Sequence, residues 1–293
     1  MAVEQLTLTR FPTAAGLRAA VESFLLAHEA ENNLPLGLIG VLENDPHAYG
    51  PDPAYLAAVH DGADVVAVAL MTPPFGLALS RSETPDAMSL VARDLLTFGA
   101  EPPGAMGPSP VARAFVDAWQ QLTRRPYTLA MAERIFRLNA VRPVSGVSGR
   151  LRRAGEADRD LLIEWVTAFE WEVFGTARNP ERGVERYLGE PPARRGAMLC
   201  EDDGRPVSLA GYGSPTPHSM RIGPVYTPAA FRGRGYASAA TAAVSQHLLD
   251  GGRRFCTLFT DLANPTSNKI YRQIGFEPVC DVDQYRFEAP ATP

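Results

Sequence analysis

Arg232-Gly233-Arg234-Gly235-Tyr236-Ala237 is a glycine-studded turn that opens a helix. A short apolar strand stands ahead of it, Arg221-Ile222-Gly223-Pro224-Val225-Tyr226-Thr227, and an alanine-rich helix begins near Tyr236. Glycines at the mouth of a helix expose backbone N–H groups, and the helix dipole adds partial positive charge there. Such a turn suits an anion, a pyrophosphate best of all. Gly233 and Gly235 let a ligand approach the backbone, and Arg232 and Arg234 can add charge-assisted hydrogen bonds. No Lys-Ser or Lys-Thr pair follows the glycines, so the turn is not a P-loop. The G-x-G-x-x-G order of a dinucleotide site is also missing.

The helix over 237–249 carries Ala237, Ala239, Ala240, Ala242 and Ala243, small residues that let it lie close to a sheet. Asp250-Gly251-Gly252 closes it. A strand follows, Phe255-Cys256-Thr257-Leu258-Phe259-Thr260, ending at Asp261. Asn264-Pro265-Thr266-Ser267-Asn268 then starts a second helix, which bears Ile270 and Tyr271 and stops at Gly275-Phe276. Another apolar segment begins at Val279.

This order resembles the GNAT superfamily of acyl-CoA-dependent N-acetyltransferases. The family pattern Arg/Gln-x-x-Gly-x-Gly/Ala is met by Arg232, Gly235 and Ala237. The family's later Asn, its Tyr seven positions on and its Gly-Phe are met by Asn264, Tyr271 and Gly275-Phe276. The resemblance is clearest over 151–287.

The resemblance implies an α/β (α+β) fold with a central mixed β-sheet flanked by helices. It implies acetyl-CoA as co-substrate, its pantetheine arm lying in a V-shaped gap between strands 222–227 and 255–261. Splayed strands leave backbone groups with which an amide-bearing arm can pair. The expected cofactor contacts are Val225, Tyr226, Thr227, Arg232, Gly233, Arg234, Gly235, Tyr236, Ala237, Asn264, Ser267 and Tyr271. A bulge at Gly223-Pro224-Val225 would aim an N–H at the thioester carbonyl. Pro224 has none to give, so the donor is Val225 or a neighbour.

Tyr271 matches the family's acid for the leaving thiolate, although packing on the sheet would also explain it. Asn264 serves equally as a helix cap. For the base, Glu170 and Glu172 lie in a helical stretch that borders the acceptor cleft in this family. Their spacing sends them to different faces, and a solvated surface explains either. Asp261 is a third candidate. His218 and His247 read as surface or packing residues.

The chain has 293 residues, 45% hydrophobic and 21% charged, which suits packed domains and leaves room for two. Its net charge of −5 argues against a nucleic-acid partner. Apolar runs such as 65–71 are far too short to span a bilayer, so no membrane partner is expected, and the reading is cytoplasmic. Cys200, Cys256 and Cys280 lack the spacing of a zinc site and read as buried thiols; no metal is expected.

The two halves echo each other. Tyr55-Leu56-Ala57-Ala58-Val59, His60-Asp61-Gly62 and 65–71 make a strand, a D-G turn and a strand. About 142 residues later, Ala197-Met198-Leu199-Cys200, Asp202-Asp203-Gly204 and 207–212 do the same. Segment 115–137 echoes 268–287, with Trp119 near the place of Tyr271. We therefore expect two GNAT-like domains: a degenerate one at 1–142, a Pro/Gly/Ser-rich linker at 143–149, and a catalytic one at 150–293. Where the first half should carry an anion turn it reads Ser80-Arg81-Ser82-Glu83-Thr84-Pro85-Asp86, with acids and a proline. That half should bind no CoA and would pack against the active half, shape its acceptor cleft or form a homodimer surface. Gly104-Ala105-Met106-Gly107-Pro108 reads as a loop.

The function expected is acetyl transfer from acetyl-CoA to a primary amine of a small molecule by direct attack on the thioester. The competing reading is an acyl-CoA-binding or sensing module without turnover. Mycothiol-synthase-like enzymes share the tandem layout, but no residue here is specific to their substrate.

Overall fold

A computed structural model describes residues 6–177 and 179–288, which form two compact units. The first unit comprises residues up to 135 together with 260–263 and 279–288; the second comprises 136–259 and 264–278. In chain order the elements are β1 (Thr7–Arg10), α1 (Ala14–Ala27), α2 (Asn33–Asn44), β2 (Tyr55–Asp61), β3 (Asp64–Met71), β4 (Leu77–Leu79), α3 (Asp86–Phe98), β5 (Gly104–Pro108), α4 (Ser109–Thr123) and β6 (Tyr127–Leu138). They continue with β7 (Arg150–Arg153), α5 (Arg159–Phe174), α6 (Pro180–Gly189), β8 (Gly196–Asp202), β9 (Arg205–Gly213), β10 (Ser219–Tyr226), α7 (Tyr236–Asp250), β11 (Phe255–Asp261), α8 (Pro265–Ile274) and β12 (Glu277–Phe287).

Each unit is a mixed sheet flanked by helices, in the order β1-β2-β3-β4-β5-β12-β6 for the first and β11-β10-β9-β8-β7 for the second. Both expected hairpins form. β2 and β3 pair antiparallel up to Asp61 and Asp64, and β8 and β9 up to Asp202 and Arg205. Asp203 and Gly204 both take left-handed φ, 48° and 71°, the requirement of a two-residue hairpin turn. The echo extends to a register shift at matching points, between Val59 and His60 in one hairpin and between Cys200 and Glu201 in the other.

The halves diverge at the next strand. β10 runs for eight residues, whereas its counterpart β4 has three. Beyond β4, Ser80 N–H returns to Val68 O and the Ser80 hydroxyl takes the Val68 N–H. Arg81 then pairs with Glu31 and Glu83 and contacts His28. Charged side chains thus follow β4, where the second unit has its glycine turn after β10.

One strand is exchanged against chain order. β12 closes the C-terminal half in sequence, yet it pairs antiparallel with β5, Val282 opposite Pro108 through Arg286 opposite Gly104. Its Tyr285 and Phe287 are buried in the first unit's core, where Phe287 meets Phe115 and Trp119 with ring centroids 6.5 and 6.0 Å away. Reciprocally, Phe136 and Leu138 at the end of β6 are buried in the second unit, and Phe136 meets Tyr271 at 6.4 Å. Trp119 and Tyr271, paired by the sequence echo, thus each pack on an aromatic strand from the other half of the chain.

Segment 104–108, expected as a loop, is strand β5. Its glycines serve close approach rather than flexibility. A Cβ at Gly104 would stand 2.0 Å from Tyr285 O, and one at Gly107 would stand 2.8 Å from Leu79 Cβ. Only glycine fits between two such partners. The stretch 141–149 has no helix or strand, but Val141, Val144 and Val147 pack on the second unit's core, and Arg142 N–H bonds Ile274 O at 2.7 Å.

The exchange makes a direct prediction. A fragment of residues 1–142 lacks β12 and with it two buried aromatic rings, a loss of about 3–5 kcal/mol for each large side chain. It should show no cooperative unfolding transition by circular dichroism, and a synthetic 277–288 peptide should restore one.

Candidate active site

β10 and β11 run parallel and pair at Ser219–Phe255, Met220–Cys256 and Arg221–Thr257, where their register ends. From Ile222 onward β10 keeps only its antiparallel partner β9, and even there the register shifts between Ile222 and Val225. The shift falls at Gly223-Pro224, joined by a cis peptide. Gly211 on β9 makes room for it, since a Cβ there would meet Gly223 O at 2.9 Å. The result is a bulged strand parting from its parallel neighbour.

Past the bulge, side chains hold β10 in place. The Tyr226 ring faces Trp165, 6.2 Å between centroids. The Ser208 hydroxyl donates to Tyr226 O at 3.1 Å and lies 2.9 Å from the Thr227 hydroxyl. Val225, Tyr226 and Thr227 are all half-buried, along the edge that faces the parting.

The glycine turn leads into α7 as the sequence demands. Gly233 and Gly235 take left-handed φ of 78° and 82°, and Gly235 is the cap residue. Ala239 N–H is the one that bonds Gly235 O, so the N–H groups of Tyr236, Ala237 and Ser238 have no intrahelical acceptor. The Tyr236 ring is buried and its hydroxyl donates to the Asp202 carboxylate. Its side chain anchors the turn; its backbone is what the turn presents. Arg234 is exposed.

Arg232 and Glu172 come together in a way their separate roles did not anticipate. Arg232 Nη2 lies 2.8 and 2.7 Å from the two Glu172 oxygens, and its Nε bonds Thr227 O at 2.8 Å. Glu172, at the end of α5, thus lies beside the start of the glycine turn. The pair is about half exposed, so it contributes little stability, on the order of 0–1 kcal/mol. Glu170 lies two residues earlier on the same helix.

On α8, Asn264 Oδ1 accepts the Ser267 N–H at 3.0 Å, the geometry of a helix cap. The Tyr271 side chain is buried between Phe136 and Phe276. Burial pushes its hydroxyl up to about 12, and a hydrogen bond with the Ser267 side chain offsets part of that. Asp261 accepts the Ala263 N–H at 2.8 Å, as a turn cap does. His247 is exposed on α7 with its ring 6.4 Å from Tyr212, and His218 O accepts the Arg254 N–H.

Residues that no motif marked also line the bulge. The Tyr187 hydroxyl on α6 donates to Gly223 O at 3.3 Å, and Arg195 stacks over the Tyr187 ring at 5.8 Å. Only the periodic face of α6 could have hinted at Tyr187. Cys200 and Cys256 are buried and Cys280 is partly so; burial pushes Cys256 up to about 12. Among the described residues no cluster of three or more His, Cys, Asp or Glu suits a metal ion, and no helix is long and apolar enough to cross a membrane.

A split parallel pair, a bulge at the split and a glycine turn feeding the next helix define an acyltransferase scaffold of the GNAT kind. Residues 160–276 match the model of the acetyltransferase (GNAT) family. The chain therefore carries a GNAT-family domain over those residues and is an acyltransferase of the N-acetyltransferase class. Solved structures extend the likeness of fold to nearly the whole chain. A GCN5-related N-acetyltransferase from Sphaerobacter thermophilus superposes with a TM-score of 0.65 at 16% identity, covering 98% of this chain and 97% of its own. A tandem GNAT protein from the clavulanic acid biosynthesis pathway gives 0.60 at 14%, covering 98% and 100%. A GNAT-family acetyltransferase from Colwellia psychrerythraea gives 0.56 at 12%, covering 96% and 100%. No curated protein matches the sequence.

The turn yields a graded prediction. Gly233→Ala and Gly235→Ala both force a Cβ into left-handed backbone, costing about 1–2 kcal/mol. At Gly235 the Cβ would also stand 2.7 Å from Val147 Cγ2, whereas Gly233 faces open space. Denaturant unfolding should show Gly235→Ala as the more destabilised of the two.

Proposed function

We propose that the second unit transfers an acetyl group from acetyl-CoA to a primary amine by direct attack on the thioester. The observation that carries this reading is the end of β10–β11 pairing at Arg221 and Thr257, beside the bulge at Gly223-Pro224. Backbone groups past that point lack a parallel strand, and the amides of a pantetheine arm can pair with them. The pyrophosphate would lie on the N–H groups of 236–238 at the mouth of α7, with Arg234 beside it. Asn264 and Ser267 would border the arm.

In the reaction a neutral amine attacks the carbonyl carbon and the thiolate leaves. The Val225 N–H is the donor for the developing oxyanion, since Pro224 has no N–H. Tyr271 supplies a proton to the leaving sulfur. With its hydroxyl near 12 it stays protonated across the working range, as an acid must. For the base, Glu170 and Glu172 are the candidates, Glu172 also holding the Arg232 guanidinium. The first unit, whose equivalent turn is filled by Arg81, Glu31 and Glu83, would bind no CoA.

Calorimetric titration with acetyl-CoA should show one site per chain and none in an Arg232→Ala/Gly235→Ala double variant that still unfolds cooperatively. Two sites would assign a cofactor to the first unit as well, and none would overturn the reading.

Tyr271→Phe should lower kcat by about 10²–10⁴-fold. The raised Tyr271 value also sets the sign of a pH effect. The unfolded chain ionises tyrosine near about 10, the folded one near about 12. Stability from this group is therefore full below about pH 10 and declines as pH rises toward 12. Tyr271→Phe should flatten that alkaline decline in urea midpoints.

A further inference from the structure

The hydrogen bonds of Arg232 run in two directions. Its Nε donates to Thr227 O at 2.8 Å, at the end of β10, and its Nη2 serves both Glu172 oxygens, at 2.8 and 2.7 Å, at the end of α5. The Tyr226 ring lies beside the same guanidinium, 5.8 Å from Cζ to centroid, and its hydroxyl is in electrostatic contact with both members of the pair. A guanidinium grips an anion with two N–H groups at once through either of two faces, Nε with Nη2 or Nη1 with Nη2. Both faces use Nη2. While Glu172 holds Nη2, neither face is open to a phosphate. The carboxylate also neutralises the positive charge at the start of the glycine turn.

This contact is placed where it can open. The first half of α5 is anchored: Leu162, Trp165 and Val166 are buried, and no side chain over 167–174 is. Trp165 packs on Tyr226 of β10, 6.2 Å between centroids. Glu172 stands seven residues further on, about two turns along the same stripe of the helix. The ion pair therefore sits at the exposed end of a helix whose other end is fixed. Its two side chains are 48% and 49% exposed, so water replaces much of what the pair loses when it parts. A pyrophosphate carries more negative charge than one carboxylate, and its oxygens match the same fork. It is the stronger partner for Arg232.

We propose that the Glu172 carboxylate is an internal competitor of the pyrophosphate of acetyl-CoA for the Arg232 guanidinium, so that donor binding exchanges one anion for the other. This rests on the acetyl-transfer reading above. The exchange would uncover a carboxylate that is one of the two candidate bases.

The test is calorimetric titration of the full chain with acetyl-CoA in a double-mutant cycle. Glu172→Gln should tighten binding by about 5- to 30-fold, with a urea midpoint close to that of the unmodified protein. Glu172→Ala is read beside it, so that a new amide contact to Arg232 does not mask the gain. Arg232→Gln should weaken binding. In that background Glu172→Gln should change Kd by less than about twofold, because the competed group is gone. Unchanged or weaker binding in both Glu172 variants overturns the competition and leaves the acetyl-transfer reading standing. Equal tightening with and without Arg232 also overturns it, since removal of a negative charge near the turn then accounts for the gain. No acetyl-CoA binding by the unmodified protein overturns the transfer reading itself, and the proposal with it.

Discussion

Backbone hydrogen bonding that stops partway along a pair of parallel strands is the constraint around which the second unit is organised. Buried N–H and C=O groups must be paired, so parting β10 from β11 at Arg221 and Thr257 needs local devices to hold it open. The bulge at Gly223-Pro224 shifts β10 against β9, Gly211 leaves room for it, and the Tyr187 hydroxyl takes the freed Gly223 carbonyl. Ser208 does the same for Tyr226 O, and Arg232 for Thr227 O. These contacts brace β10 past the point where its pairing with β11 ends.

The first unit shows what the same sequence plan becomes without that constraint. Its β4 ends after three residues, the chain folds back through Ser80, and the helix that follows is approached through a proline and paired charges. The mixed sheet and its flanking helices persist all the same. What keeps this unit intact is packing: Tyr285 and Phe287, brought by β12, complete a core built on Phe115 and Trp119. Each unit thus buries aromatic side chains from the other half of the chain.

Much of this was legible along the chain. The Gly233 and Gly235 turn, the alanine-rich helix after it, the Asn264 cap and both D-G hairpins are local features, set by backbone preferences a few residues long. The strand β5 was misread as a loop because Gly104 and Gly107 resemble turn residues. They are small to admit Tyr285 and Leu79, which are distant in sequence. The engagement of Glu172 by Arg232 was equally hidden, since 60 residues separate them.

The sequence by itself determined most of the elements, the glycine turn at the mouth of α7 and the echo between the two hairpins. These follow from periodicity, glycine placement and charge within short windows. Tertiary structure alone decided that β12 completes the first unit, that Arg232 pairs with Glu172, and that Tyr187 caps the bulge. The physical reason is the same in each case. Strand partners and side-chain neighbours across a sheet are chosen by close packing between residues far apart in the chain, and no local pattern records that choice.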